Sequence, residues 1–194
     1  MGIWSEIIAE HFRESAEAKQ QTAGACSEGI EQSALILAEA FRTGHKVLFC
    51  GNGGSAADSQ HLATEFVIRL SAERDRRSLP AIALTTDTSA LTAGTNDFGV
   101  ERMFARQVEG LGQADDVLIG ISTSGNSPNI IEAVKTARAQ GLTTIGLLGG
   151  TGGACRDLVD VPIVVPNIHT NRIQETHITI GHILCDLVER ILFD

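Results

Sequence analysis

The sequence has no tyrosine and one tryptophan, and seven phenylalanines bring its aromatic share only to 4%. A platform on which nucleic-acid bases could stack is therefore not expected. Cations are also scarce: 15 Lys and Arg stand against 24 Asp and Glu, a formal net charge of −9. A protein that tracks a phosphate backbone needs the opposite balance, so no nucleic-acid partner is expected. No apolar stretch approaches the roughly 20 residues that cross a bilayer. The first 20 residues carry acids where a secretory leader would carry a continuous apolar segment, so neither a leader nor a membrane partner is expected. The four cysteines, Cys26, Cys50, Cys155 and Cys185, show no C-x-x-C spacing. A chain of this size does not need them as staples, and free thiols in a reducing, cytoplasmic compartment are the expectation. There is no G-x-x-x-x-G-K-[ST], which argues against a nucleoside triphosphatase. The first glycine-rich turn lacks G-x-G-x-x-G, which weakens a dinucleotide site.

What remains is enough for one domain with a large core: 194 residues, 43% of them hydrophobic. Residues 1–43 read as N-terminal helices. Ile3, Ile7 and Ile8 share one helical stripe, Ile30, Ala34, Leu37 and Phe41 a second, and Gly44 ends the latter. From residue 44 onward, short apolar runs alternate with helical segments. The runs are 46–50, 81–84, 116–121, 144–148 and 161–165, and a long helix closes the chain at about 171–192. Alternation of this kind predicts an α/β fold, a three-layer sandwich in which helices flank a five-stranded parallel sheet of flavodoxin or Rossmann type. Pro162 marks an edge strand. The charged segment 71–78 reads as a solvated loop.

In such folds ligands bind beyond the C-terminal strand ends, and there the polar loops fall. They are GNGGS at 51–55, TTDTS at 85–89 and STSGNS at 122–127. The last offers four hydroxyls in six residues (Ser122, Thr123, Ser124 and Ser127), a glycine to turn the backbone, and Ser127-Pro128 as N-cap and first helical residue. Amides and hydroxyls at a helix N-terminus hold a phosphate without Lys or Arg, which suits an acidic protein. The following helices add ionisable groups. His61, Glu65 and Arg69 stand at i, i+4, i+8 and share a face, and Gln174, Ile178 and His182 repeat that spacing on the last helix, which also holds His177. Two chemistries fit: a carboxylate that takes a proton from carbon while a histidine moves protons on oxygen, or a metal ion held by His and Glu one turn apart.

Taken together, the segments GNGGSAADSQHLATEF, LPAIALTTDTSALTAGTNDFG, DVLIGISTSGNSPNI and RIQETHITIGHILCDLVE resemble the sugar isomerase (SIS) family, and within it the branch that acts on heptose phosphates. The resemblance runs from about Gly44 to the C-terminus. It implies a single SIS domain over residues 1–194, with residues 44–194 as the sugar-phosphate-binding core. It implies an aldose–ketose isomerase that converts sedoheptulose 7-phosphate into D-glycero-D-manno-heptose 7-phosphate through an enediol. That is the first step toward ADP- or GDP-activated heptose for lipopolysaccharide or other bacterial glycans. On this reading Ser55, Ser122, Thr123, Ser124 and Ser127 hold the phosphate, and Asn52, Gly53, Gly54, Asn96, Asp97 and Gln174 hold the sugar. Glu65 is the catalytic base and His182 its partner. His61, Glu65, Gln174 and His182 match positions that hold zinc in some members, an ion that would compete with Glu65 for its role as base. The family implies a homotetramer with active sites shared between subunits. One relative is a non-catalytic scaffold for the replication initiator DnaA, and that role, or isomerisation or sensing of a different sugar phosphate, is the alternative.

Overall fold

The computed structural model describes residues 2–194. Helix α1 covers Ile3–Arg42. It is followed by β1 (Val47–Gly51), α2 (Gly54–Val67), β2 (Ala81–Ala83), α3 (Thr88–Phe98), a short 3₁₀ turn and α4 (Met103–Leu111). Then come β3 (Val117–Ser122), α5 (Pro128–Ala139), β4 (Thr143–Gly149), β5 (Val161–Val165) and α6 (Thr170–Phe193). All five strands pair in parallel, in the order β2-β1-β3-β4-β5.

The strands are apolar throughout because both faces of the sheet are covered. Side chains alternate between two cores. Val47, Phe49, Val117, Ile119, Ile121, Ile145 and Leu147 face α1, α2 and α6, whereas Leu48, Cys50, Leu118 and Leu148 face α4 and α5. Phe66 of α2 fixes the first core, with its ring 5.2 Å from that of Phe41 on α1 and 6.3 Å from that of Phe49 on β1. The three-layer α/β sandwich is as expected, and Pro162 lies on the edge strand β5.

Two expectations need correction. Residues 3–42 form one continuous helix instead of two. Its buried stripe runs unbroken from Ala18 to Ile30, whereas Ile7 and Ile8 are exposed. Small residues carry it at helical spacing, through Ala18, Thr22 and Cys26 to Ile30, Ala34, Leu37 and Phe41, where α1 lies against α6 and β5. The segment 71–78 is not simply solvated. The Arg76 guanidinium is fully buried and donates to the Glu189 carboxylate at 2.7 Å, while Arg74 pairs with Glu189, Asp186 and Asp194. Solvation is not the only way to satisfy a charged loop when a buried carboxylate on α6 faces it.

His177 joins α6 to the end of β4. It is fully buried, and the acceptor at 2.9 Å is the Leu148 carbonyl, so its Nε2 carries the hydrogen. Nδ1 has no partner. Protonating it would place an unpaired charge in the core, and desolvation pushes the imidazole from its ordinary 6.5 down to about 4. The unfolded chain therefore binds a proton between those values that the folded protein refuses. This contribution to stability is intact above the unfolded value and is lost as pH falls toward 4, by about 2 kcal/mol at pH 5. Urea midpoints at pH 7 and pH 5 should fall further for the wild type than for His177→Gln, and equal slopes would remove His177 as the cause.

Candidate active site

The strand order reverses at one place. The chain leaves β1 toward α2 on one face and leaves β3 toward α5 on the other, so a crevice opens above the C-terminal ends of this adjacent pair. The loops GNGGS and STSGNS form its two walls, and the N-termini of α2 and α5 point into it.

The STSGNS wall is tightly organised. Gly125 takes φ +64°, which L side chains rarely adopt, and its N–H donates to the Ser122 hydroxyl at 3.1 Å. The Ser122 and Ser127 hydroxyls lie 3.1 Å apart. Ser127 occupies the N-cap of α5 as expected, but its hydroxyl makes no capping bond. It faces Ser122 instead; Pro128 has no N–H, Ile130 and Ile131 N–H bond the Ser127 carbonyl, and the Asn129 N–H is left without a partner. Behind this wall packs the glycine-rich turn after β4. There the Asn126 carboxamide accepts from Ala154 N–H at 2.9 Å, and Cys155 N–H bonds the Gly125 carbonyl at 2.9 Å.

On the GNGGS wall Ser55 is buried at the start of α2. Gly54 lies against the Gln174 carboxamide of α6, since a Cβ there would come within 2.7 Å of Gln174 Nε2. Asn52 exchanges two hydrogen bonds with Asn129 across the crevice, at 2.9 and 2.8 Å.

Two turns along α2, His61 and Glu65 meet His182 of α6. His61 Nε2 lies 2.7 Å from His182 Nε2 and 3.3 Å from a Glu65 carboxylate oxygen. The ligand atoms of all three lie within 4.8 Å of one another. One carboxylate oxygen and two imidazole nitrogens at this separation suit a divalent ion such as zinc. Gln174 stands two turns before His182 on the same helix. Asp58, a turn before His61, has a carboxyl raised by burial and partly lowered again by His61, and its Oδ2 has no partner.

The close approach of α2 and α6 depends on Gly181. Any side chain there would run into Leu62, closer than real side-chain atoms come, and Leu62 is itself buried. At the far end of α2, Arg76 donates to the Glu65 and Phe66 carbonyls at 2.7 and 2.8 Å and so occupies acceptors at the helix C-terminus. Asn96 and Asp97 are exposed. They bond each other at 2.7 Å on α3, a helix with no buried residue, and neither side chain bonds the crevice loops, α2 or α6. Sequence reasoning missed Arg76 and Asn129. The only local trace of Asn129 is a polar residue where a core helix begins.

A family model described as the SIS domain matches residues 10–149. A phosphoheptose isomerase of Chlorobaculum parvum is 50% identical over 192 residues, 98% of this chain and 92% of that protein. Among solved structures, phosphoheptose isomerase GmhA from Neisseria gonorrhoeae superposes with a TM-score of 0.90 at 45% identity, over 96% of this chain and 99% of that one. A phosphoheptose isomerase from Francisella tularensis gives 0.91 at 39% identity, over 98% and 100%.

Gly181→Ala should cost about 1–3 kcal/mol, because it overfills the α2–α6 seam. Adding Leu62→Val should return part of that loss in chemical denaturation. An equal or larger loss in the double variant would mean that the seam does not depend on this contact.

Proposed function

The chain belongs to the SIS domain family, with phosphoheptose isomerases among its close relatives, and we propose that it interconverts sedoheptulose 7-phosphate and D-glycero-D-manno-heptose 7-phosphate. It is an aldose–ketose isomerase of sugar phosphates. The observation that carries this reading is the meeting of a carboxylate and two imidazoles on α2 and α6, roughly 9–15 Å along α2 from Ser55. The distance leaves room for a sugar chain between an ester held by the loops and carbons that react at Glu65.

In this mechanism Ser55, Ser122, Thr123, Ser124 and Ser127, with the amides of the α2 and α5 N-termini, bind the phosphate, and the remote grip aligns the reacting carbons. Asn52, Gly53, Gly54, Gln174, Asn96 and Asp97 hold the sugar. Glu65 takes a proton from C1 of the ketose. The electrons form the C1–C2 double bond, and the C2 carbonyl oxygen takes a proton from His182. His182 then removes the proton from O1, the C1 carbonyl forms, and Glu65 returns its proton to C2. Protons taken and given balance, and no oxidant is needed. His61, Glu65, Gln174 and His182 are the residues that would hold a zinc ion. When bound, such an ion polarises the sugar carbonyl.

A homotetramer with shared sites follows from the same reading. It is supported by the exposed Trp4, Ile7, Ile8 and Phe12 on α1 and by the exposed Asn96 and Asp97 on α3, whose side chains bond no crevice residue. The whole chain, 1–194, is read as one SIS domain. Buried free thiols at all four cysteines suit the cytoplasm, and no helix among the described residues is long and apolar enough to cross a membrane.

The decisive assay measures conversion of sedoheptulose 7-phosphate with and without a chelator. Glu65→Gln should lower kcat by about 10²–10⁴-fold while substrate still binds. Loss of activity on chelation, restored by zinc, would assign the ion a working role. Full activity in Glu65→Gln would remove Glu65 from the chemistry.

A further inference from the structure

The two walls of the crevice belong to different βα units, yet a phosphate gripped by both needs them at a fixed separation. Among the described residues, the only side-chain hydrogen bonds that join residues 51–55 to residues 122–129 are the two between Asn52 and Asn129. They form a closed amide pair: Asn52 Nδ2 donates to Asn129 Oδ1 at 2.9 Å, and Asn129 Nδ2 donates to Asn52 Oδ1 at 2.8 Å. Asn52 is exposed on the GNGGS loop, whereas Asn129 is buried to 5% exposure in the first turn of α5, next to Pro128 and the N-cap Ser127. Neither side chain bonds any other protein group.

A buried carboxamide at the second position of a helix is a costly choice unless it is fully used. Its first turn is polar only on the side that faces the other loop, while Ile130, the next residue, is wholly buried in the second core. We infer that Asn129 is a positioning residue. Through Asn52 it locks the N-terminus of α2 to the N-terminus of α5, so that the two sets of amides and hydroxyls meet a phosphoryl group as one preformed cradle. The inference rests on the phosphate-binding reading of these loops but not on the identity of the sugar. Asn129 does not touch the substrate. It acts by sparing the ligand the ordering of two independent loops, so its loss should weaken binding and leave the proton-transfer geometry at Glu65 intact.

The test is a set of three variants, Asn129→Leu, Asn52→Ala and the double, each measured for thermal melting, for inorganic phosphate binding by calorimetry and for turnover of sedoheptulose 7-phosphate. Leu keeps the approximate shape of the side chain in a buried place, so the fold should hold and melting should stay near that of the wild type. Phosphate affinity should drop about tenfold, and KM should rise by a similar factor with kcat within about threefold, the scale of two lost hydrogen bonds. Asn129→Leu should add nothing to the binding loss of Asn52→Ala, since Asn129 acts only through Asn52. Unchanged KM and phosphate affinity in Asn129→Leu would overturn the inference, as would lowered melting with unchanged binding. So would full additivity in the double variant. A wild type that binds phosphate but does not turn over the heptulose would sink the substrate assignment alone, because the calorimetric comparison still decides the role of Asn129.

Discussion

Adjacent parallel strands whose chains exit to opposite faces of a sheet cannot both cover the space above their ends. At β1 and β3 this constraint leaves a crevice, and two helix N-termini are aimed into it from the two sides. The dipoles of those helices, with the unbonded Gly54 and Asn129 N–H groups, make the crevice attractive to an anion before any side chain is chosen. The residues there sharpen the same preference. Ser127 withholds its hydroxyl from capping, Gly125 turns the loop inward, and Ser122 supplies a neighbouring hydroxyl. The proposed phosphate site, with no cation in its loops, rests on topology first and on residue choice second.

Helix α2 is the element the proposed chemistry leans on, and it is held along its whole length. Gln174 lies on its first residue, Leu62 meets Gly181 at its middle, and Arg76 occupies carbonyls at its end. The buried Arg76–Glu189 pair is weak evidence for stability, because removing two charges from water offsets most of their attraction. Its position suggests a different use. The same guanidinium that meets Glu189 on α6 also bonds the backbone carbonyl of Glu65, so the helix carrying the proposed base is tied to the helix carrying His182 at both the seam and the terminus.

Much of this was legible in the chain, for reasons that differ from element to element. Buried parallel strands are apolar on both faces, so runs such as 117–121 announce themselves. The shared face of His61 and Glu65 follows from spacing, and its convergence with His182 is what the structure adds. Helix α1 reads as two because its large apolar residues fall in two groups, whereas Ala18, Thr22 and Cys26 bury just as completely where helices pack closely. Arg76 gave no signal, since nothing local in a charged loop says which cation will find a carboxylate 113 residues away. The Asn52–Asn129 pair is similarly non-local. Asn96 and Asp97 follow only from family resemblance, and their side chains bond each other and no crevice residue.

The absence of Lys and Arg from both crevice loops has a kinetic corollary. A protein of net charge −9 repels a doubly charged ester at long range, and nothing in those loops counters that field. Added salt would shield the repulsion, so encounter should quicken as ionic strength rises, the reverse of what a lysine-lined pocket shows.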